Sequence, residues 1–216
     1  MIAQHIHHAL EQVQELQQRI LEKQRFRGYS GRARMAGGVL ALLTAIVLAT
    51  PGIPPTPAAH LQAWGILLAL ALILNFGSVI YRLMIAPGGA WDVRRLRPVM
   101  DTLPPILVGA ILSIALVRHG QFDALFGTWM CLFSLSHFVT RQVLPAQMTL
   151  VGGVYLACGT VCLLLPMGSF VNPWPMGLVF FVGEGAGGLL FWLDEQSARA
   201  AGKSAHPTYL QTGRNG

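Results

Sequence analysis

Residues 176–192, MGLVFFVGEGAGGLLFW, form an apolar run that holds one ionisable residue, Glu184, near its centre. About 20 predominantly apolar residues are enough for a helix to cross the hydrocarbon core of a bilayer. An acid at that depth is costly unless it faces the interior of a helix bundle or a water-filled cavity. The run therefore predicts a transmembrane helix whose Glu184 faces other helices.

The composition of the chain agrees with a membrane location. Of 216 residues, 53% are hydrophobic and 11% are charged, whereas soluble domains carry about 25% charged residues. Five further apolar blocks precede the last one, so the fold class we predict is an all-α integral membrane protein with six transmembrane helices. The predicted spans are approximately residues 35–53, 61–81, 102–117, 124–140, 147–166 and 174–193.

The polar segments divide the chain into three parts. We predict a cytoplasmic segment over residues 1–34, the transmembrane domain over 35–196 and a disordered cytoplasmic tail over 197–216. The N-terminal segment is polar and lacks the early apolar core of a signal peptide. The three cysteines all lie inside apolar blocks, so no disulfide framework is expected.

The distribution of cations predicts the orientation. Fourteen of the 15 Lys and Arg residues lie in the N-terminal segment, the 82–101 and 141–146 loops or the tail, and the intervening loops hold only Arg118. Loops rich in Lys and Arg stay in the cytoplasm. We therefore expect both termini in the cytoplasm and the protein in a bacterial inner (cytoplasmic) membrane.

Weak internal similarity predicts a repeat. Residues 102–141 match residues 149–189 at a shift of 47 or 48, with Thr102 on Thr149 and Leu103 on Leu150. We interpret the domain as three helical hairpins in parallel orientation, an arrangement found in several transporter folds. Duplication of a packing unit would give the same pattern, so the repeat does not by itself predict transport.

The repeat places His137 of the fourth span opposite Glu184 or Gly185 of the sixth. Glu184 and His137 are thus the predicted intramembrane polar site. Glu184 either handles protons or cations or is a neutral acid that makes one hydrogen bond at a tight helix crossing. His137 is either a proton relay or a structural residue.

No cofactor or metal is predicted. A bis-His haem site needs a second histidine at matching depth, and no other span holds one. Cys158 and Cys162 share a helix face and could bind Cu(I) with Cys131, but buried cysteines are ordinary packing residues in such helices. No catalytic residues are predicted either, because no nucleophile, base and orienting group occur together, and an enzyme is not favoured.

Small residues predict two close helix contacts. Gly183 and Gly187 form a G-x-x-x-G pair beside Glu184, and the first span carries Gly37, Ala41 and Ala45 at four-residue spacing. Small residues at this spacing let another helix approach closely, within the chain or between subunits.

Residues 3–27 carry an apolar heptad stripe on a helix rich in Gln and Glu. It either docks a partner, which is another membrane protein or a second copy of the chain, or lies as an amphipathic helix on the membrane or on this protein's own loops. The stripe consists of Ile6, Ala9, Val13, Leu16 and Ile20.

A basic stretch links this helix to the first span. Its cations are expected to contact anionic lipid headgroups. No recognition fold surrounds them, so nucleic acid is not an expected partner. These cations are Arg25, Arg27, Arg32 and Arg34.

The junction 25–42, RFRGYSGRARMAGGVLAL, resembles a group of small six-span bacterial membrane proteins of unknown function. The shared pattern is a polar N-terminal helix, an R-F-x-x-x-S-G element and a small-residue first span. In that group the last span often carries a His where this chain has Glu184. The resemblance implies that a polar group is needed at that depth, and it implies no activity. The residues that carry it are Arg25, Phe26, Ser30, Gly31, Gly37, Gly38, Ala41 and Leu42.

Two functions follow as hypotheses. The first is a non-enzymatic membrane module with a scaffolding, regulatory or oligomerisation role through residues 3–27. The alternative is a small transporter or channel for protons, cations or a small solute that uses Glu184 and His137.

Overall fold

The computed structural model describes residues 13, 30–81, 100–141, 144–165 and 169–204, with side chains up to residue 197. Within these ranges the chain forms six α-helices and one short 3-10 turn, Phe122–Ala124, and no strand. The helices are α1 (Gly31–Leu48), α2 (Pro57–Ile80), α3 (Leu103–Arg118), α4 (Leu125–Val139), α5 (Met148–Leu164) and α6 (Trp174–Ser204).

The first two helices begin where their sequences provide caps. The side chain of Ser30 accepts a hydrogen bond from the backbone N–H of Ala33, and that of Thr56 accepts one from Ala59. Such caps satisfy N–H groups that have no partner inside the helix. Pro57 follows Thr56 as the first residue of α2, where its missing N–H costs nothing.

Four of these helices are long and apolar enough to cross a membrane: Gly31–Leu48, Pro57–Ile80, Phe122–Val139 and Trp174–Ser197. The helices Leu103–Arg118 and Met148–Leu164 are also apolar but shorter. Large apolar side chains such as Ile66, Ile73 and Ile111 are exposed on the outside of the bundle. The structure is therefore compatible with an α-helical membrane protein.

Helices α1 and α6 form the most extensive contact, and they run antiparallel. Gly31, at the start of α1, lies against Gly188, whereas Ala45, near its end, lies against Gly177. A Cβ added at Gly188 would lie 2.6 Å from the carbonyl oxygen of Gly31, so only glycine fits there without a shift. The two backbones approach this closely because small residues line the crossing.

Helices α4 and α5 form a second close antiparallel pair. Gly127 on α4 faces Gly159 on α5, and Gly152 on α5 lies against the Cβ of His137. The α5 helix also contacts α6, which joins the two pairs. Helix α2 packs on α1 and α3 packs on α4, where Trp129 donates a 2.7 Å hydrogen bond to the hydroxyl of Ser113.

An aromatic cluster closes the end of the bundle where α2, α4 and α6 begin. The ring of Phe170 lies 4.8 Å from that of Phe126, centroid to centroid, and Trp64 meets Phe126 edge-on at 5.8 Å. The backbone N–H of Phe170 donates a 2.6 Å hydrogen bond to the carboxylate of Asp123. These contacts fix the loop before α6 against the start of α4.

The helix bounds differ from the sequence analysis at the C-terminal end. Helix α6 continues to Ser204, through the first part of the segment that we predicted to be disordered. Residues 205–216 lie outside the described residues, as do all members of the N-terminal stripe except Val13, which is helical and 52% exposed.

Candidate functional site

Glu184 is paired with an arginine of the first helix. Arg34 Nη2 lies 2.6 Å from Glu184 Oε1, and Arg34 Nε lies 2.9 Å from Oε2. Both residues are 7% exposed. Two parallel hydrogen bonds between a guanidinium and a carboxylate give the geometrically most specific form of ion pair. The charge of Glu184 is thus balanced inside the bundle.

His137 of α4 completes the cluster. Its Nε2 lies 2.9 Å from Arg34 Nη2, and its Nδ1 lies 2.9 Å from the carbonyl oxygen of Phe133. A guanidinium only donates hydrogen bonds, so Nε2 is the acceptor and Nδ1 carries the proton that goes to Phe133. His137 is therefore neutral in this arrangement, and three ionisable side chains from three helices meet at one point.

Tyr155 of α5 adds a fourth polar group. Its hydroxyl donates a 3.3 Å hydrogen bond to Oε1 of Glu184. Its ring lies 4.9 Å from Phe133 and 5.1 Å from Phe180, centroid to centroid, in a wall of aromatic side chains. Gly183 lies directly against this ring, and no larger residue would leave room for it.

The two glycines of the G-x-x-x-G pair accommodate side chains. Gly183 makes room for the ring of Tyr155, and a Cβ at Gly187 would lie 3.2 Å from the guanidinium carbon of Arg34. That guanidinium also lies 5.7 Å from the ring centroid of Phe191, within cation–π range. The close backbone crossing on α6 instead involves Gly177 and Gly188.

The structure places Arg34 elsewhere than the sequence analysis expected. We assigned it to lipid headgroups with Arg25, Arg27 and Arg32, but it lies buried among α1, α4 and α6. Arg32 is exposed, and Arg25 and Arg27 lie outside the described residues. A sequence signal did exist: Arg34 stands three residues before Gly37 and seven before Ala41, on the small-residue face of the helix.

The predicted packing residues of α1 have two different surroundings. Ala41 and Ala45 are fully buried, and both lie against Gly177 of α6. Gly37 is buried too, but a Cβ added there would meet nothing within 4 Å. Gly37 therefore borders the cavity within this chain, and its close contact with another helix stays a prediction.

A cavity of 520 Å³ reaches this cluster. Arg34, His137 and Glu184 line it at one end, and apolar residues of α2, α3 and α4 form most of the remaining wall. Pockets that bind small organic molecules usually measure about 300–1,000 Å³. The charged cluster thus borders an open space of ligand size.

The three cysteines lie on two neighbouring helices, α4 and α5. Cys131, Cys158 and Cys162 are free and half-buried, and Cys131 packs on Gly159. No group of three His, Cys, Asp or Glu residues that could hold a metal ion occurs among the described residues.

Comparison with known proteins gives no relationship. No family model matches the chain, and no curated protein or solved structure matches it significantly.

Proposed function

We propose that this chain is a small proton-coupled transporter in a bacterial cytoplasmic membrane. One observation carries the proposal: Arg34, Glu184 and His137, from three different helices, meet at the inner wall of a 520 Å³ cavity. A buried ion pair adds little stability, because desolvation offsets most of the attraction. In membrane proteins such groups mark the paths of ions and substrates.

The hydrogen bonds of the cluster supply a means of coupling. Nε2 of His137 accepts a hydrogen bond from Arg34. A proton added to Nε2 would make it a donor that faces the N–H donor of Arg34, and the hydrogen bond would be lost. A proton on Glu184 would likewise weaken the ion pair with Arg34. Protonation of His137 at Nε2 and its contact with Arg34 therefore exclude each other, whereas protonation of Glu184 loosens the ion pair. In this proposal a proton that enters the cluster shifts the arginine.

Transport of a metal cation is less well supported. Arg34 neutralises Glu184 within the cluster, so the site attracts a cation less strongly than a lone carboxylate would. We favour a proton, exchanged at Glu184 or His137, together with a solute in the cavity.

The membrane arrangement belongs to the same proposal. We infer six spans, with the shorter helices Leu103–Arg118 and Met148–Leu164 accommodated by local thinning of the bilayer. The cation distribution supports cytoplasmic termini even without Arg34, since 13 of the other 14 Lys and Arg residues remain on that side. The three-hairpin repeat stays part of the proposal.

Proton flux into proteoliposomes tests the proposal. A bacterial extract of small molecules on both sides of the membrane supplies the coupled solute. A potassium gradient with valinomycin then drives protons inward, and a trapped pH-sensitive dye reports their arrival. We expect protein-dependent flux from the wild type and a reduction of about tenfold or more in Glu184→Gln, because general acid–base groups commonly contribute about 10²–10⁴-fold to proton transfer.

The matched control is Glu195→Gln, which makes the same chemical change three turns further along α6. This variant should keep wild-type flux. Wild-type protein that conducts no better than empty liposomes, or a Glu184→Gln variant with full flux, would contradict the proposal.

The scaffolding function remains a proposal from the sequence alone. It depends on the stripe over residues 3–27, of which only Val13 lies within the described residues. No contact of the described residues supports it, so we rank it second.

A further inference from the structure

The cavity has a polar end and an apolar end. Arg34 lies in the first turn of α1, Thr102 directly precedes α3, and Ser136, His137 and Thr140 lie where α4 ends. These residues share one end of the bundle, because α1 and α3 begin where α4 ends. Leu61, Trp64, Trp129 and Met176 line the opposite end. The space therefore matches an elongated molecule with one polar terminus.

Among the described residues that line the polar end, the charges compensate each other. Arg34 carries one positive charge, Glu184 one negative charge, and His137 is neutral when it accepts from Arg34. A charged head group placed here would be attracted by one partner and repelled by the other. It would also lose its hydration without gaining a counter-ion from the described lining residues, which is the costly case for a buried charge. An uncharged head avoids this cost.

The hydroxyl groups of the polar end are arranged as acceptors. Ser136 donates its proton to the carbonyl oxygen of Leu132, and Thr140 donates to that of Ser136. A hydroxyl oxygen that has donated its proton still offers lone pairs. A ligand head that donates an O–H or N–H bond suits these two oxygens.

We propose that the cavity binds a neutral amphiphile with a single alkyl chain and a hydroxyl or amide head. The head lies beside Ser136, Thr140 and the Arg34–Glu184–His137 cluster, and the chain runs between α2 and α3 toward Trp64 and Trp129. This inference rests on the proposed function in one respect, since it makes the amphiphile the solute that the transporter moves.

Tryptophan quenching tests the binding without any gradient. The full chain is placed in nanodiscs of bromine-free phosphatidylcholine and titrated with an alkanol that carries bromine in its chain. Bromine quenches tryptophan at short range, so occupancy of the cavity should quench Trp64 and Trp129. We expect saturable quenching that is lost when both are replaced by phenylalanine.

Matched probes test the head group. A brominated carboxylate, a brominated alkyl ammonium and a brominated alkane with the same chain should each bind at least about tenfold more weakly than the alkanol, a difference of about 1.4 kcal/mol. A brominated monoacylglycerol that binds as well as the alkanol would indicate a lipid-derived ligand. A free alcohol is indicated if the monoacylglycerol binds more weakly.

Filling the cavity tests the location. Gly65 lines the cavity on α2, and a Cβ added there meets nothing within 4 Å. Gly65→Leu should therefore occupy the chain site and weaken binding by about tenfold or more. Gly153→Leu on α5 is the matched control, because Gly153 is equally open but does not line the cavity.

Three results would overturn the inference: quenching by the alkane equal to that by the alkanol, equal binding of a charged probe, or unchanged binding in Gly65→Leu. Saturable binding with no proton flux would support the proposed ligand and contradict the proposed transport function. Flux without binding would do the reverse, so the two failures are distinguishable.

Discussion

Arg34 is the residue on which the cluster depends. It binds Glu184 through two nitrogens and His137 through one of them, so it connects α1 to both α6 and α4. Its removal would leave the carboxylate of Glu184 buried without a counter-ion. Loss of one partner from a buried ion pair usually costs about 3–5 kcal/mol, more than the pair as a whole contributes.

This asymmetry predicts the result of a double-mutant cycle. Arg34→Gln and Glu184→Gln should each lower the free energy of unfolding by about 3–5 kcal/mol. The double variant should lose clearly less than the sum, because two neutral side chains can hydrogen-bond to each other. Reversible unfolding of the purified protein in mixed detergent measures all four stabilities.

Arg32→Gln is the control for this cycle, since Arg32 is exposed and lies two residues before Arg34 on α1. It should change stability by no more than about 0.5 kcal/mol. Additive losses in the double variant would show that Arg34 and Glu184 do not depend on each other.

At the residue scale the sequence analysis named two of the four polar residues of the site, Glu184 and His137, and missed Arg34 and Tyr155. Glu184 and His137 stand out because each is an ionisable residue inside an apolar block. Arg34 lies among other cations at the edge of a block, where arginines ordinarily contact headgroups. Its partner lies 150 residues further along the chain, and no local pattern connects the two.

The crossing of α1 and α6 depends on glycines of both helices. Gly38 lies against the Cβ of Glu184, and Gly188 lies against Met35 and the carbonyl oxygen of Gly31. A backbone oxygen cannot move aside as a side chain can. The crossing should therefore tolerate no added carbon at Gly188.

Two neighbouring glycines of α6 test this contact. Gly188→Ala should destabilise the protein by about 1–3 kcal/mol through overpacking. Gly185→Ala is the matched change, since a Cβ there meets nothing within 4 Å, and it should be neutral or stabilise by up to about 1 kcal/mol. Thermal unfolding of the two purified variants measures the difference; equal midpoints would mean that the crossing is looser than described.

At the element scale the apolar blocks predicted where the helices occur better than which helices contact each other. All six blocks contain a helix, because a long apolar run without polar breaks has few other ways to satisfy its backbone. Small residues indicated where a close approach occurs but not which helix approaches. Gly183 and Gly187 illustrate the limit, since they accommodate the side chains of Tyr155 and Arg34.

The six-span topology makes a prediction for the whole molecule. Gly52 precedes α2 and Ser197 lies on α6, and both are exposed. Five spans separate them in the proposed arrangement, so they should lie on opposite sides of the membrane. In a variant whose three cysteines are replaced by alanine, an impermeant maleimide added to intact spheroplasts should label Gly52→Cys but not Ser197→Cys.

Labelling of Ser197→Cys after the cells are opened is the internal control for its accessibility. Labelling of both positions in intact spheroplasts would require an even number of spans between them. The short helices Leu103–Arg118 and Met148–Leu164 would then be the first elements to reconsider.

The cavity could not be predicted from the sequence at any scale. It lies between five helices, and its polar end combines residues that are far apart in the sequence, such as Arg34 and Glu184. Periodicity describes which face of one helix is apolar, but it contains no information on how far apart two helices stand. Gly37 shows this directly, since its spacing favours a contact while its actual neighbour is an open space.

The distance in sequence between Arg34 and Glu184 has a consequence for biogenesis. At about 5–20 residues per second of synthesis, Glu184 leaves the ribosome roughly 8–30 s after Arg34. Throughout that interval the first helix carries a cation whose counter-ion does not yet exist. If the helices insert as proposed, Arg34 stays near the aqueous edge of the membrane or inside the insertion machinery until Glu184 arrives. The last helix thus supplies the counter-ion of the first. A chain that ends before Glu184 would keep Arg34 without that partner, and we expect quality-control proteases to degrade it.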